Sequence, residues 1–170
     1  MHIDPLEKKW IYVVLGGIGV MVAAIIYTAL AGHIDPPGSM ETVDSARLHL
    51  SDEFAEDKLG VATAPDGSLR VTMVAARYGF YPREIKLPAG RPVTFRIASA
   101  DVLHGLHVPM TNLGTMVLPG YVSTVTTSFP KPGEYPLLCN EYCGMGHDQM
   151  WSKITVVSRE TWDKSSNLGR

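Results

Sequence analysis

The longest apolar stretch of the chain lies near its N-terminus. Residues 10–31 include no Asp, Glu, Lys, Arg or His over 22 positions. About 20 apolar residues in a helix span the hydrocarbon core of a bilayer, and a stretch without a polar face does not suit a soluble surface helix. The pattern therefore predicts a transmembrane helix. A cleaved signal peptide is the alternative, because Ala29-Leu30-Ala31 resembles a cleavage site, although signal peptides have shorter apolar regions of about 7–15 residues.

From residue 69 onward, apolar and polar positions alternate with a period of two. Leu69, Val71 and Met73 fall on one side of the first such run, and Arg70 and Thr72 fall on the other. This alternation is typical of a strand with one buried face. Turn sequences rich in Pro and Gly separate the runs, and the spacing predicts an all-β sandwich or small barrel. The predicted strands are residues 69–76, 91–98, 121–129, 134–139 and 151–157.

The segments outside these patterns complete the predicted organisation. Residues 1–9 precede the helix, 32–68 form a linker and lead-in, 69–157 form the β domain, and 158–170 form a polar tail that frays. The charged run 52–58 is interpreted as a solvated turn or short helix. Lys8 and Lys9 precede the helix, whereas only Arg47 follows it before residue 50. The positive-inside rule then places the N-terminus in the cytoplasm and the chain after residue 31 outside.

Composition narrows the class of protein further. The chain has 170 residues, a net charge of −2, 19% charged and 45% apolar side chains. These values argue against disorder and against a nucleic-acid-binding protein, which would present a basic face. Only two cysteines are present, so the chain is not a disulfide scaffold.

The two cysteines fall in a loop that is rich in soft metal ligands. Cys139, Cys143, His147 and Met150 lie within 12 residues, between the last two predicted strands. Thiolate and thioether sulfur with imidazole favour copper over hard cations. Two thiolates can bridge a pair of copper ions, each of which then needs a terminal ligand. His147 can serve one ion, and the other needs an imidazole from elsewhere.

The segment 101–107 is the best source of that second imidazole. His104 and His107 are three residues apart, which places them on opposite faces of an extended segment, so one of them at most is expected to be a ligand. A disulfide between Cys139 and Cys143 is one alternative in an oxidising compartment. Zinc is another, although structural zinc sites rarely use thioether sulfur.

The loop motif resembles that of a known family. The motif reads Cys139-x-Glu141-x-Cys143-Gly144-x-x-His147-x-x-Met150. Two further segments match the same family, Asp101-Val102-Leu103-His104-Gly105 and Pro132-Gly133-Glu134-Tyr135. This pattern resembles the binuclear copper (copper A) domain of heme–copper oxidase subunit II. The presence of one N-terminal helix, in place of the more usual two, resembles subunit II of the B-type oxidases. The resemblance implies a cupredoxin-like Greek-key fold after the helix.

The resemblance also implies a role for each residue of the site. Cys139 and Cys143 would bridge both copper ions, and His104 and His147 would each bind one. Met150 sulfur would be a weak axial ligand to the copper that binds His104. The Glu141 carbonyl would be the axial ligand to the other copper, and its side chain would reach a magnesium site shared with subunit I.

The function implied by the resemblance is electron transfer. Electrons would pass from a periplasmic cytochrome c or small copper protein, through the copper pair, to a heme in subunit I for oxygen reduction. Tyr78 and Phe80 are the candidate residues where electrons enter, in a region that lacks the tryptophans of well-known family members. The equivalent subunit of a nitric oxide reductase is one alternative. A membrane-anchored copper chaperone or thiol oxidoreductase, on a thioredoxin-like fold, is the other.

Overall fold

The computed structural model describes residues 4–31, 38–64 and 66–167. Helix α1 (Pro5–Ala31) belongs to one compact unit, and the chain from Pro36 onward forms another. The helix begins where the sequence supplies a cap: the Asp4 carboxylate accepts the Leu6 N–H at 2.7 Å, and Pro5 occupies the first helical position. The predicted helix is confirmed and begins five residues earlier than expected. It is long and apolar enough to cross a membrane.

The second unit contains eleven described strands. Their bounds in chain order are β1 (Gly38–Thr42), β2 (Gly60–Thr63), β3 (Leu69–Ala76), β4 (Gly79–Tyr81), β5 (Glu84–Pro88), β6 (Pro92–Ser99), β7 (His104–His107), β8 (Gly114–Val117), β9 (Tyr121–Ser128), β10 (Gly133–Cys139) and β11 (Trp151–Val157). The strands form two β-sheets. The first has the order β1-β9-β6-β3-β2, with β4 paired to β3, and the second has the order β5-β11-β10-β7-β8. Neighbouring strands are antiparallel except for β3 with β6 and β5 with β11, which are parallel.

A hydrophobic core lies between the two sheets. Val71 of β3 and Phe95 of β6 contribute from the first sheet, and Leu137 of β10 and Ile154 of β11 contribute from the second. All four side chains are fully buried, and they occupy the apolar positions of the alternating pattern. The predicted β-sandwich is therefore confirmed, and burial of one face of each strand explains why the five predicted strands match the observed ones within one residue at each end.

The lead-in is more structured than the sequence indicated. Residues 38–42 and 60–63 form β1 and β2 at the edges of the first sheet, and short 3₁₀ helices cover Ser45–Leu50 and Glu56–Lys58. Arg96 on β6 holds this segment, because its guanidinium donates to Glu53 at 2.5 and 2.8 Å and to Glu41 at 2.8 Å. The segment predicted as a linker and lead-in thus contains two edge strands and two short helices in its described part. The run 52–58 does contain the expected turn and short helix.

The polar tail forms a helix instead of fraying. Helix α2 (Arg159–Asn167) begins after Ser158, whose hydroxyl accepts the Thr161 N–H at 3.3 Å. The Arg159 guanidinium donates to the carbonyl groups of Ala89 and Gly90 at 3.2 and 2.7 Å, and Trp162 packs against the core. These contacts attach the start of α2 to the β domain, so the prediction of fraying was wrong through residue 167. Residues 168–170 lie outside the described part of the chain.

Candidate metal centre

The loop that carries the predicted ligands joins the paired strands β10 and β11. Cys139 is the last residue of β10, and Met150 immediately precedes β11. The Cys139 N–H donates to the Met150 carbonyl at 3.1 Å, which ties the two ends of the loop together. A 3₁₀ turn over His147–Gln149 shapes the second half. The fold thus brings the first and last predicted ligands of the loop side by side.

Strand β7 supplies the imidazole from outside the loop. It pairs with β10 so that Leu106 lies opposite Cys139, and His104 is fully buried. The His104 Nδ1 atom lies 4.0 Å from Cys139 Sγ, while its Nε2 atom lies 2.8 Å from a carboxylate oxygen of Asp101. An ionised carboxylate only accepts hydrogen bonds, so Nε2 carries the hydrogen and donates it to Asp101, and Nδ1 presents its lone pair to the cysteine. This is the arrangement of an oriented metal-binding histidine.

The remaining donor atoms converge on the two cysteine sulfurs. The Cys139 and Cys143 sulfurs are 3.9 Å apart. His147 Nδ1 and Met150 Sδ each lie 3.6 Å from Cys143 Sγ, and the Glu141 carbonyl oxygen lies 3.3 Å from Cys139 Sγ. The structure therefore brings together the predicted ligand atoms of the loop. His104, Cys139 and Cys143 place their donor atoms within 4.8 Å of one another.

The cysteine pair has the spacing of metal ligands. Both thiols are free, and their separation of 3.9 Å is well beyond the S–S bond of a disulfide, about 2.05 Å. One metal ion can contact both sulfurs, because two metal–sulfur bonds of about 2.3 Å together exceed that separation. The soft donor set fits copper. Part of the cluster is shielded from water, since Cys143, Met150 and His104 are buried, whereas Cys139 and His147 are partly exposed.

Burial and the neighbouring thiol change the acid strength of Cys143. Desolvation, together with the hydrogen bond and charge of Cys139, raises the pKa of the Cys143 thiol to about 11. This thiol therefore keeps its proton at neutral pH when no cation is present. Thiolates are the species that bind metals, so a metal ion entering this site must displace the proton.

Asp101 links the buried histidine to the surface. Partial burial opposes ionisation of this carboxyl, but hydrogen bonds from His104, from the backbone of Arg77 and Val102 and from the Arg77 side chain outweigh it and lower its pKa to about 2. Asp101 is therefore ionised at neutral pH and can hold the His104 imidazole in one orientation. In the sequence, Asp101 is only a residue that flanks the motif, and its position three residues before His104 is the one signal of this role.

Glycines allow the close packing around the loop. A Cβ atom at Gly105 would overlap the Asn140 side-chain oxygen and lie 3.0 Å from the Glu141 nitrogen. Cβ atoms at Gly144 and Gly146 would lie 2.6 and 2.5 Å from atoms of the Tyr78 side chain. Tyr78 thus packs directly against the segment between Cys143 and His147. The sequence showed these glycines in the motif but not what they contact.

The remaining candidate residues, Phe80, Tyr78 and His107, differ in their burial and in their distance from the ligand loop. Phe80 is fully buried in the core, so a docked protein would not contact its ring directly, and its role in electron entry stays a prediction. Tyr78 is half-buried beside the ligand loop. His107 lies at the far end of β7 from His104, opposite Gly114 and Leu138. It is not in the metal-ligand cluster of the described residues.

Fold and cluster together define a class of protein, a cupredoxin-like metal-binding domain preceded by a helix of membrane-spanning length. A family model described as cytochrome c oxidase subunit II, periplasmic domain, matches residues 65–157. A cytochrome c oxidase subunit 2 of Thermus thermophilus is 39% identical over 153 residues, which cover 88% of this chain and 90% of that protein. The chain belongs to the cytochrome c oxidase subunit II family, and it is a membrane-anchored, single-pass member.

Solved structures agree with this assignment. A chain from the cryo-EM structure of a heme–copper terminal oxidase dimer superimposes with a TM-score of 0.73 at 30% identity, over 89% of this chain and 99% of that one. The periplasmic domain of cytochrome oxidase subunit II (CoxB) of Bradyrhizobium japonicum superimposes with a TM-score of 0.52 over 58% of this chain and 91% of that one. Because the two sequences are only 18% identical, this superposition is evidence for the fold alone.

Proposed function

We propose that this chain is the subunit through which electrons enter a heme–copper oxidase, and that its metal centre holds two copper ions. The observation that carries the proposal is the convergence of two thiols, two imidazole nitrogens and one thioether, with neighbouring donor atoms 3.6 to 4.0 Å apart. Membership in the subunit II family supports the role in a respiratory complex.

Each donor has a role in this proposal. The Cys139 and Cys143 thiolates would hold both copper ions, and His104 and His147 would each bind one of them through Nδ1. The Met150 sulfur would be a weaker ligand to the ion that binds His104, and the Glu141 carbonyl would be a weaker ligand to the ion that binds His147. A copper pair held by these residues would supply a one-electron redox couple.

The protein keeps the site suited to electron transfer by holding its ligands still. The Cys139–Met150 backbone hydrogen bond fixes the ends of the loop, and Asp101 fixes the His104 ring. The buried members of the cluster, His104, Cys143 and Met150, would also limit the rearrangement of water when the charge of the site changes. Oxygen reduction belongs to a heme-bearing subunit I, with which this chain forms a complex.

The electron donor in this proposal is a periplasmic cytochrome c or a small copper protein. Tyr78 is the residue proposed for electron entry, because it is partly exposed and its ring packs on Gly144 and Gly146 of the ligand loop. Relatives named as cytochrome c oxidases favour oxygen over nitric oxide as the final acceptor. A thioredoxin-like oxidoreductase is not favoured, because Cys139 ends a strand instead of opening a helix.

The proposed orientation places the copper domain on the periplasmic side. Lys8 and Lys9 lie in the first turns of α1 and favour a cytoplasmic N-terminus. Protease treatment of spheroplasts tests this orientation. Digestion of the β domain without membrane disruption is expected, and protection of that domain until the membrane is opened would contradict it.

Glu141 is the residue of the loop proposed to reach a magnesium ion shared with subunit I. Its carbonyl faces Cys139, and its side chain is partly exposed at the surface of the loop. Replacement of magnesium by manganese in the assembled oxidase makes the ion visible by electron paramagnetic resonance. Glu141→Gln is expected to weaken manganese retention while the copper spectrum persists, and unchanged retention would refute this role.

The order of reduction in the assembled oxidase tests the main proposal. After rapid mixing with a reduced donor, the copper absorption is expected to bleach before the heme is reduced. In a Cys143→Ser variant, heme reduction by the donor protein is expected to slow strongly, while reduction by a small chemical reductant that reaches the heme directly persists. Heme reduction at an unchanged rate in this variant would refute the role as electron acceptor.

A further inference from the structure

One turn of the β domain contacts two separate neighbours of the metal ligands, the loop glycines after Cys143 and the Asp101 carboxylate beside His104. Arg77 and Tyr78 connect β3 with β4. Tyr78 packs on the glycines between Cys143 and His147. Arg77 contacts Asp101, because its backbone N–H and its Nε–H donate to one carboxylate oxygen of Asp101 at 2.8 and 3.1 Å.

The Asp101 carboxylate divides its two oxygens between two directions. Oδ2 accepts the two hydrogen bonds of Arg77. Oδ1 accepts the Val102 N–H at 2.7 Å and faces His104 Nε2 at 2.8 Å. Side-chain exposure falls along this path, from 49% for Arg77 to 22% for Asp101 and 0% for His104. The path therefore leads from a solvent-facing guanidinium to a buried imidazole.

This geometry has an electronic consequence for His104. A carboxylate that accepts the Nε2–H makes the opposite nitrogen, Nδ1, a stronger donor. A guanidinium on the other oxygen draws negative charge toward itself and weakens the pull on Nε2–H. The positive charge of Arg77 thus moderates the donor strength of the nitrogen that faces Cys139.

We propose that Arg77 is a positioning residue that tunes the metal centre through Asp101, by taking up part of the carboxylate charge that would otherwise act on His104. The proposal deepens the proposed function, since its redox consequence rests on a copper centre at this site. Loss of the guanidinium strengthens the Asp101–His104 hydrogen bond, makes Nδ1 a better donor and favours the oxidised state of the centre. Removal of a nearby positive charge acts in the same direction.

Arg77→Gln is the informative variant, because it removes the charge and leaves the backbone N–H on Asp101. Arg70→Gln is the matched control. Arg70 lies on β3, the strand that precedes Arg77, its side chain is 52% exposed, and its guanidinium lies 4.0 Å from Glu53. It therefore loses the same charge at a similar exposure with a different partner.

Two measurements on the full chain in detergent test the proposal. In the metal-free protein, nitrogen-15 and proton NMR of His104 is expected to show the Nε2–H resonance shifted downfield in Arg77→Gln and unchanged in Arg70→Gln. In the copper-loaded protein, the reduction potential is expected to fall in Arg77→Gln and to stay within measurement error in Arg70→Gln.

The outcomes separate this proposal from the proposed function. An unchanged Nε2–H resonance, a potential that stays or rises in Arg77→Gln, or equal shifts in both variants would overturn the role of Arg77. A chain that binds no copper but shows the predicted NMR shift would refute the copper function and leave the link from Arg77 to His104 standing.

Discussion

The packing of Tyr78 against the ligand loop predicts the effect of one added methyl group. In Gly146→Ala, the new Cβ would lie 2.5, 2.8 and 2.9 Å from three atoms of the Tyr78 ring. Unstrained carbon–carbon contacts are about 3.5–4.0 Å, so the ring or the loop must move by about 1 Å. The backbone is not the obstacle, since Gly146 has a φ of −97°, which alanine can adopt.

The expected cost follows from this overlap. Overpacking of a well-packed site typically costs about 1–3 kcal/mol, and Gly146→Ala is expected to fall in that range. Gly114→Ala is the control, because its Cβ would meet its nearest neighbour, His107 Nδ1, at an ordinary 3.6 Å. We expect the control to change the free energy of unfolding by less than about 0.5 kcal/mol.

A double-mutant cycle isolates the cause. Unfolding of the metal-free chain by denaturant in detergent is measured for Gly146→Ala, Tyr78→Ala and the double variant. If the ring causes the cost, Gly146→Ala is nearly neutral in the Tyr78→Ala background, and the interaction energy is about 1–3 kcal/mol. An equal cost of Gly146→Ala with and without the tyrosine ring would refute the reasoning.

Three further substitutions test the proposed ligands. Cys143→Ser is expected to abolish binding of the copper pair, because it removes one of the two bridging sulfurs; a normal copper content with an unchanged spectrum would contradict this. Met150→Leu conserves volume in a buried position and is expected to cost less than about 1.5 kcal/mol in unfolding free energy. It should retain two copper ions with a shifted reduction potential, and complete metal loss in dialysis would show that Met150 is more than an axial ligand. His107→Ala is expected to leave the copper absorption spectrum unchanged, since His107 lies outside the ligand cluster of the described residues; a changed spectrum would overturn that assignment.

The sequence predicted the strands that bury one face. In β3, Val71, Met73 and Ala75 are fully buried, and Arg70 is exposed. The alternation of apolar and polar residues along such a strand is enough to predict the strand from its sequence. The edge strands have no comparable signal: β1 reads Gly-Ser-Met-Glu-Thr and pairs with β9 through its backbone. Backbone pairing at an edge leaves little trace in side-chain chemistry, so the lead-in was interpreted as a linker.

The metal centre was predictable where its ligands are close in sequence. Four donors of the loop lie within 12 residues, and their chemistry already favours copper. The surrounding contacts depend on distant segments. Arg77 reaches Asp101 across 24 positions, and Tyr78 packs on Gly144 and Gly146 from another part of the chain. Periodicity and motif spacing contain no information on such contacts, so the fold alone places them.

The sequence of the tail contains a local signal for a helix start. Ser158 precedes Arg159, Glu160 and Thr161, and its hydroxyl accepts the Thr161 N–H. A serine at this position, followed by an acidic residue in the first turn, favours the start of a helix. High polarity indicated a frayed end, but the cap and the contacts of Arg159 determine the structure.

The proposed electron-transfer function requires two copper ions that share the sulfurs of Cys139 and Cys143. Electron paramagnetic resonance of the oxidised, copper-loaded full chain tests this most directly, because hyperfine splitting counts the nuclei that share the unpaired electron. We predict the pattern of one electron delocalised over two equivalent copper nuclei. A pattern from a single copper nucleus, or a chain that takes up no copper with its two cysteines joined as a disulfide, would contradict the account.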